Sequence, residues 1–214
     1  MDIIFPGVCV NCKDPVIGAN LLCPRCAEAI IIRKAPRQIG SRFLFAATDY
    51  NEPSIRSLIK VFKYSRIWRA GEPIAEIMLK HLEISGFEKL IPNNKDETYI
   101  VPIPIHFLKK WQRGFNQTEI LSRLIGRKLG VKSVNALVRQ KRTIPQSKIK
   151  DDSLRVLNIK NCFSLSGVAK RIPHKSVIVL VDDIVTSGET LKEATRVLGS
   201  LRPARIIYVS VASR

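Results

Sequence analysis

Short runs of apolar, often β-branched residues alternate along the chain with segments whose apolar positions recur at helical spacing. The apolar runs predict buried strands at residues 43–48, 98–103, 177–181 and 206–212. Helical periodicity is found in the segments between them, at residues 53–64, 73–84, 117–129 and 191–198. Because strands that alternate with helices form parallel sheets, the pattern predicts an α/β domain with a mostly parallel sheet.

The stretch from Val177 to Thr190 carries the strongest chemical signal. Its apolar run ends at two adjacent carboxylates, Asp182 and Asp183, which precede a short loop and a helical pattern. The residues of that loop are Thr186, Ser187, Gly188, Glu189 and Thr190. Backbone N–H groups at a helix N-terminus bind phosphate, and carboxylates accept hydrogen bonds from ribose hydroxyls. The stretch therefore predicts a site for a phosphorylated sugar. The competing interpretation is a buried strand followed by an ordinary acidic turn.

This stretch resembles the phosphoribosyl pyrophosphate (PRPP) signature of type I phosphoribosyltransferases. The resemblance implies that Asp182 and Asp183 hold the ribose 2′- and 3′-hydroxyls and that the 186–190 loop holds the 5′-phosphate. Ligands of parallel sheets bind beyond the carboxyl ends of the strands, where Ile105 and His106 would form the loop on the pyrophosphate side. Bound PRPP would bring Mg²⁺ to neutralise its diphosphate. The sequence identifies neither a catalytic residue nor a pocket for an acceptor base.

Four cysteines near the N-terminus follow the spacing C-x2-C-x10-C-x2-C, at Cys9, Cys12, Cys23 and Cys26. Two such pairs can surround a tetrahedral Zn²⁺ with four thiolates. We expect this zinc to be structural rather than catalytic, because four cysteine ligands leave no open position. Disulfides are the alternative, although a reducing compartment disfavours them. The remaining Cys162 is expected to be an inert, partly buried thiol.

The net charge of +18 comes mainly from one part of the chain. Residues 105–175 contain 17 of the 36 lysines and arginines but only 3 of the 18 acidic residues. Such a local excess predicts a polyanionic partner, and a basic surface that only aids solubility is the alternative. The residues that we expect to contact a nucleic acid are Lys109, Lys110, Arg113, Arg139, Lys141 and Arg142. Bases could stack on Phe107, Trp111 and Phe115, although all three could equally belong to the core, Phe115 most of all.

Several separated motifs narrow the resemblance. They are V-P-I-P at 101–104, R-G-F-N-Q at 113–117, the pair Lys63-Tyr64, and the spaced residues Arg139, Thr143, Gln146, Arg155 and Asn158. Together with the four cysteines they resemble the ComF competence family, whose members join a zinc module to a phosphoribosyltransferase-like domain. Ser187 replaces a threonine found in many relatives, but both residues offer a hydroxyl. We therefore divide the chain into a zinc-binding module with its connector, residues 1–40, and a type I phosphoribosyltransferase-like domain, residues 41–214.

Two functions agree with these features. The resemblance implies a competence protein of natural transformation that binds incoming single-stranded DNA on the cytoplasmic side. Such a protein would also hold PRPP and work with other competence proteins at the inner membrane. The alternative is an active phosphoribosyltransferase of nucleotide salvage with an unidentified acceptor. The N-terminus lacks a signal-peptide pattern and no apolar run approaches the roughly 18 residues of a membrane span, so we expect a cytoplasmic protein.

Overall fold

A mostly parallel sheet lies at the centre of the computed structural model, which describes residues 7–18, 20–141 and 159–214. The strands of these ranges are β1 Gly7–Val8, β2 Pro15–Val16, β3 Arg37–Ile39, β4 Arg42–Asp49, β5 Thr98–Pro102, β6 Lys132–Ser133, β7 Leu137–Arg139, β8 Phe163–Leu165, β9 Val177–Val185 and β10 Arg205–Ser213. Six of the described strands form the central sheet in the order β3–β4–β10–β9–β5–β6, and neighbours pair in parallel except β3 with β4. The predicted α/β architecture is confirmed.

Helices cover both faces of this sheet. Those of the described ranges are α1 Pro24–Glu28, α2 Pro53–Tyr64, α3 Gly71–Ile84, α4 Phe107–Arg113, α5 Gln117–Leu129 and α6 Glu189–Leu198. Helices α2, α3 and α5 pack on one face, around side chains such as Phe45, Phe62 and Met78. Helix α6 and the β7–β8 hairpin pack on the other face, where the hydroxyls of Thr195 and Tyr208 share a hydrogen bond of 2.9 Å. The start of β9 contributes side chains to both cores, which explains its uninterrupted apolar run.

Strand β9 is longer than predicted. The apolar run predicts an end at Val181, whereas the strand continues to Val185. The adjacent strand β10 extends equally far and pairs Ser210 with Asp182 and Ser213 with Val185. The backbone of β10 therefore supplies ladder partners to the polar residues of β9. As a consequence, the two carboxylates project from the end of a strand and not from a loop.

Helix α4 is absent from the sequence prediction. His106 caps its first turn, because Nδ1 accepts a hydrogen bond from the backbone N–H of Leu108 at 3.3 Å. Gly114 ends it at a φ of +84°, a conformation that favours glycine. All seven residues of α4 are at least partly exposed, including Trp111. A helix that buries no apolar stripe has no helical periodicity to detect, which is why the prediction missed it.

The other predicted helices are confirmed with small shifts at their ends. Helix α2 ends at Tyr64 as predicted, and α3 begins two residues before Pro73. Asn116 caps α5 as predicted, since its side chain accepts a hydrogen bond from the backbone N–H of Thr118 at 3.3 Å. None of the helices in the described ranges is long and apolar enough to cross a membrane.

The N-terminal cysteines lie in a small unit made of the β1–β2 hairpin and α1. Val10, Leu21 and Leu22 of this unit pack against the main hydrophobic core. The connector that follows contributes β3 to the central sheet, where Arg37 pairs with Leu44 of β4. The division after residue 40 stays a prediction, and it falls in the turn between these two paired strands.

Candidate functional site

A cavity of about 880 Å³ opens at the carboxyl ends of four neighbouring strands. Its lining includes Tyr50 after β4, Arg214 after β10, Asp182 and Asp183 in β9, and Ile103 after β5. Ligands of parallel sheets bind at this edge because the strands end there in variable loops. The 186–190 loop and Ile105 line the same cavity, as expected for two loops that face one crevice.

The acidic pair makes two different contacts. Asp183 Oδ2 lies 2.9 Å from the Nζ atom of Lys63 in α2, and each side chain is only 16% exposed. Asp182 Oδ1 accepts a hydrogen bond of 2.8 Å from the backbone N–H of Asp183. Burial, followed by the neighbouring Asp183 carboxylate, raises the pKa of Asp182 to about 7, against the opposing effects of Lys63 and Arg139. The pair therefore holds a proton more readily than two exposed aspartates would.

The 186–190 loop turns sharply into α6. Gly188 occupies the N-cap position with a φ of +79°, and a Cβ atom there would lie 3.1 Å from two side-chain carbons of Ile39. The loop residues line the cavity up to Thr190. Glu189 directs its carboxylate to Lys192, with Oε1 2.6 Å from Nζ, so its charge is paired beside the first turn. The backbone N–H groups of this turn, which have no acceptor within the helix, can bind an anion.

Positive side chains face the loop and the acidic pair from α2, α4 and β7. They are Lys63, Lys109, Arg113 and Arg139, all of which line the cavity. Burial, with contributions from the charges of Arg139, Arg113 and Lys63, lowers the pKa of Lys109. Burial also lowers the pKa of Arg139, whose guanidinium lies 5.4 Å from the ring centre of Phe163. Cations this crowded favour an anionic ligand, which would relieve their mutual repulsion.

The six basic residues expected to bind DNA separate into three groups. Lys109, Arg113 and Arg139 line the cavity, as described above. Lys110 forms a surface ion pair of 3.0 Å with Glu119, and Lys141 is exposed. Arg142 lies outside the described residues, as do the motif positions Thr143, Gln146, Arg155 and Asn158.

The aromatic residues proposed for base stacking lie in different environments, and so do the two residues of the loop on the pyrophosphate side. Phe107 and Trp111 are 67% and 83% exposed, whereas Phe115 packs on Phe62 with ring centres 5.5 Å apart. Phe115 is partly buried and thus packs against the core, the environment that the sequence favoured for it. Ile105 lines the cavity, while His106 is buried and caps α4.

Sequence reasoning missed three polar cavity residues of α2, namely Arg56, Ser57 and Lys60. With Lys63 and Tyr64 they recur at intervals of three or four residues, so they share one face of the helix. The apolar periodicity of residues 53–64 predicts the buried face of this helix, but it assigns no role to the polar face. The detectable signal is the run of basic residues on that face.

The four cysteines converge in the N-terminal unit. Their Sγ atoms all lie within 4.8 Å of one another, and those of Cys12 and Cys23 are 3.6 Å apart. Tetrahedral thiolates around zinc lie about 3.8 Å apart at the usual bond length, so the cluster can hold a metal ion. Burial alone would raise the pKa of the Cys9 thiol. Hydrogen bonds from the backbone N–H groups of Cys12, Cys23 and Asn11 outweigh this effect and lower the pKa to about 6.

Asn11 joins this cluster to the cavity. Its Nδ2 group lies 3.4 Å from Cys26 Sγ and 3.2 Å from Ser54 Oγ of α2. None of the five cysteines, all of which lie in described ranges, forms a disulfide. Cys162 is fully buried, more than expected, and burial raises the pKa of its thiol to about 11.

Comparison with known proteins finds one family match and several relatives. Residues 118–214, a little under half of the chain, match the family described as phosphoribosyl transferase domain. Competence protein F of Haemophilus influenzae is 27% identical over 90% of this chain and 91% of its own length. DNA utilization protein YhgH of Escherichia coli strain K12 is 28% identical over 89% of this chain and 77% of its own. Adenine phosphoribosyltransferase of Saccharomyces cerevisiae, a solved structure, is 20% identical over 71% and 72% of the two chains, with a TM-score of 0.41.

The two relatives match along about nine-tenths of the chain, which contains both the four-cysteine cluster and the mostly parallel sheet. The resemblance inferred from the sequence motifs is confirmed. The chain is a homologue of competence protein F and DNA utilization protein YhgH that carries a type I phosphoribosyltransferase fold.

Proposed function

We propose that this protein acts in DNA uptake during natural transformation, where it binds PRPP in the cavity and handles incoming single-stranded DNA in the cytoplasm. The competence role is supported by the relatives, which are named competence protein F and DNA utilization protein YhgH. PRPP binding is supported by the phosphoribosyl transferase domain and by the chemistry of the cavity.

The observation that carries the PRPP proposal is the meeting of three chemical groups in one cavity. The 186–190 loop offers backbone N–H groups to a phosphate, and Asp182 and Asp183 offer oxygens to sugar hydroxyls. Lys63, Lys109 and Arg139 offer positive charge to a second phosphate group. A sugar with a phosphate at one end and a diphosphate at the other uses all three, whereas a simple sugar or a free phosphate uses only part of the site.

Two metal ions belong to this proposal. Zn²⁺ bound by Cys9, Cys12, Cys23 and Cys26 would hold the N-terminal unit together, since a unit this small has little hydrophobic core of its own. Mg²⁺ would enter with PRPP and neutralise its diphosphate. Four thiolates suit zinc, and phosphate oxygens suit magnesium, so the two ions would not compete for one site.

Calorimetric titration with PRPP and Mg²⁺ tests the ligand. The variant Asp182→Asn with Asp183→Asn should lose measurable binding while its circular dichroism spectrum stays unchanged. A matched control, Asp96→Asn with Glu97→Gln, removes two adjacent acids from an exposed turn and should bind as the wild type does. Unchanged affinity in the Asp182 and Asp183 variant would contradict the proposal.

The DNA role and the alternative of nucleotide salvage are tested separately. A labelled single-stranded oligonucleotide should bind the wild-type protein, and its affinity should fall steeply with salt. A salvage phosphoribosyltransferase would instead release pyrophosphate when PRPP is supplied together with a nucleobase. Release of pyrophosphate without any affinity for the oligonucleotide would favour the salvage enzyme.

A further inference from the structure

Helix α2 has two faces with opposite environments. Ile55, Leu58 and Phe62 are buried in the core. The outer face of α2, made of Arg56, Ser57, Lys60, Lys63 and Tyr64, lines the cavity. Residues three or four positions apart lie above one another on a helix, so these side chains form a row about 12 Å long. This row leads from Lys63, beside Asp183, to Arg56 about two helical turns away.

Aromatic rings with stacked guanidinium groups lie at both ends of the row. At one end, the guanidinium carbons of Arg56 and Arg214 lie 5.9 Å and 5.0 Å from the centre of the Tyr50 ring. At the other end, the guanidinium carbon of Arg113 lies 5.6 Å from the centre of the Tyr64 ring. Tyr64 is nevertheless 70% exposed, so much of its ring is open to a ligand. Exposed aromatic rings beside cations are typical of surfaces on which bases stack.

The charge of this region exceeds what PRPP can use. Residues 53–71 contain five lysines and arginines and no acidic residue. Lys63 is beside the acidic pair and within reach of a ligand there, but Arg56 and Lys60 lie farther out and are exposed. Cations one helical turn apart lie about 6 Å from each other along the axis, which suits successive phosphates of an extended strand. An extended polyanion therefore fits the row better than a compact diphosphate does.

We propose that the outer face of α2 binds the backbone of single-stranded DNA across the mouth of the PRPP cavity, with a base stacked on Tyr64. This inference rests on the proposed function and adds the DNA site to it. Arg56 and Lys60 contact phosphates, and Lys63 is shared between the DNA strand and PRPP. Because one lysine cannot serve both ligands at full strength, PRPP and single-stranded DNA compete. The DNA contacts on α2 thus add to those expected from the charge excess of residues 105–175.

Fluorescence anisotropy with a labelled oligothymidylate of about 20 nucleotides tests the phosphate contacts. Arg56→Gln with Lys60→Gln should lower the magnitude of the salt slope of log affinity by about 1.4, the value for two lost single-strand phosphate contacts. The matched control, Arg123→Gln with Arg127→Gln, removes two charges at the same spacing from exposed positions of α5 and should keep the wild-type slope. Circular dichroism and melting temperature establish that both variants fold.

The stacking contact and the competition are measured in the same assay. Tyr64→Ala should weaken binding by about tenfold, whereas Tyr64→Phe, which keeps the ring, should bind as the wild type does. Saturating PRPP with Mg²⁺ should weaken oligonucleotide binding to the wild type. A duplex that binds as tightly as the single strand would overturn the inference, since a duplex has no free bases to stack.

Two failures can be told apart. If the wild type binds the oligonucleotide but the Arg56 and Lys60 variant keeps the wild-type affinity and slope, the α2 site is wrong and the proposed function stands. If the wild type binds no oligonucleotide while it still binds PRPP, the DNA part of the proposed function fails, and the α2 site fails with it.

Discussion

Lys63 and Asp183 form an ion pair of 2.9 Å inside the cavity, with both side chains largely shielded from solvent. Asp183 is one of the two carboxylates to which we assign the sugar hydroxyls, and Lys63 is the cation that contacts it. A bound sugar must share this carboxylate with Lys63 or displace it. The pair thus links the positive face of α2 to the acidic end of β9.

Replacing Lys63 with methionine should lower the free energy of unfolding by about 2 kcal/mol at neutral pH. This value lies between those of exposed and fully buried ion pairs, because both side chains are shielded but not fully buried. The change leaves Asp183 without its cation beside Asp182. Urea unfolding followed by circular dichroism measures the loss.

The control is Lys60→Met, at an exposed position of the same helix, which should leave the stability within about 0.5 kcal/mol of the wild type. Equal stabilities of the two variants would show that the ion pair contributes nothing.

Asp182 should make the ligand-free protein less stable as the pH rises. Its pKa is raised to about 7, first by burial and then by Asp183, whereas an unfolded aspartate has a pKa of about 3.9. The folded protein therefore retains an extra proton between these values. The contribution of Asp182 to stability is fully present below about pH 4 and is lost as the pH rises through about 7. Asp182→Asn, which stays neutral, should gain stability relative to the wild type over this range.

The comparison for this pH effect is Asp49, whose pKa is shifted in the opposite direction. The backbone N–H of Asn51 and the nearby Arg33 hold the pKa of Asp49 below its usual value. Its contribution is present at neutral pH and is lost as the pH falls through that lowered pKa. Asp49→Asn should therefore lose stability relative to the wild type at neutral pH, and the difference should shrink in acid. If Asp182→Asn behaved in the same way, the raised pKa of Asp182 would be wrong.

The acidic pair and the 186–190 loop were predictable because they are contiguous in the sequence and their spacing is characteristic. The partner of Asp183 was not predictable, since Lys63 lies far away in the sequence and no local pattern selects it from the other lysines. The same holds for the end of β9. Two carboxylates, Asp182 and Asp183, interrupt its apolar run, and the strand continues past them because β10 provides a backbone partner up to Ser213.

Two further misses have separate causes. Helix α4 turns Phe107 and Trp111 to solvent, so its sequence lacks the apolar stripe by which a helix is recognised. The outer face of α2 was overlooked because charge was summed over long segments. The acidic residues that follow Gly71 offset the cations of α2 in such a sum, although the two groups lie on different helices. Charge is informative when it is counted along one helical face.

Gly188→Ala should destabilise the protein by about 1–2 kcal/mol and weaken PRPP binding. The left-handed backbone at this position, with a φ of +79°, penalises any Cβ atom, and the new methyl group would also press on Ile39 at 3.1 Å. Thermal unfolding and calorimetry measure the two effects. Adding Ile39→Ala removes the contact but not the backbone penalty, so the binding loss should be partly restored. Gly167→Ala is the control, because a Cβ there would meet no atom within 4 Å.

Asn11→Ala should weaken zinc binding without removing any of the four thiolates. The Asn11 amide donates to Cys26 Sγ at 3.4 Å and to Ser54 Oγ at 3.2 Å, and its oxygen accepts from Ser57 Oγ at 3.3 Å. Groups that orient metal ligands typically change metal affinity by about 10–100-fold when they are lost. The side chain also fixes the cysteine unit against α2, so its loss should loosen that contact.

Competition with a chromophoric chelator measures the zinc affinity of Asn11→Ala directly, and the expected change is a decrease of about tenfold or more. Asn20→Ala, at an exposed position of the same unit, is the matched control and should bind zinc as the wild type does. Hydrogen exchange of α2 provides a second readout, because loss of the bonds to Ser54 and Ser57 should speed exchange at the start of this helix. Wild-type zinc affinity combined with wild-type exchange in α2 would mean that Asn11 positions neither the thiolates nor the helix.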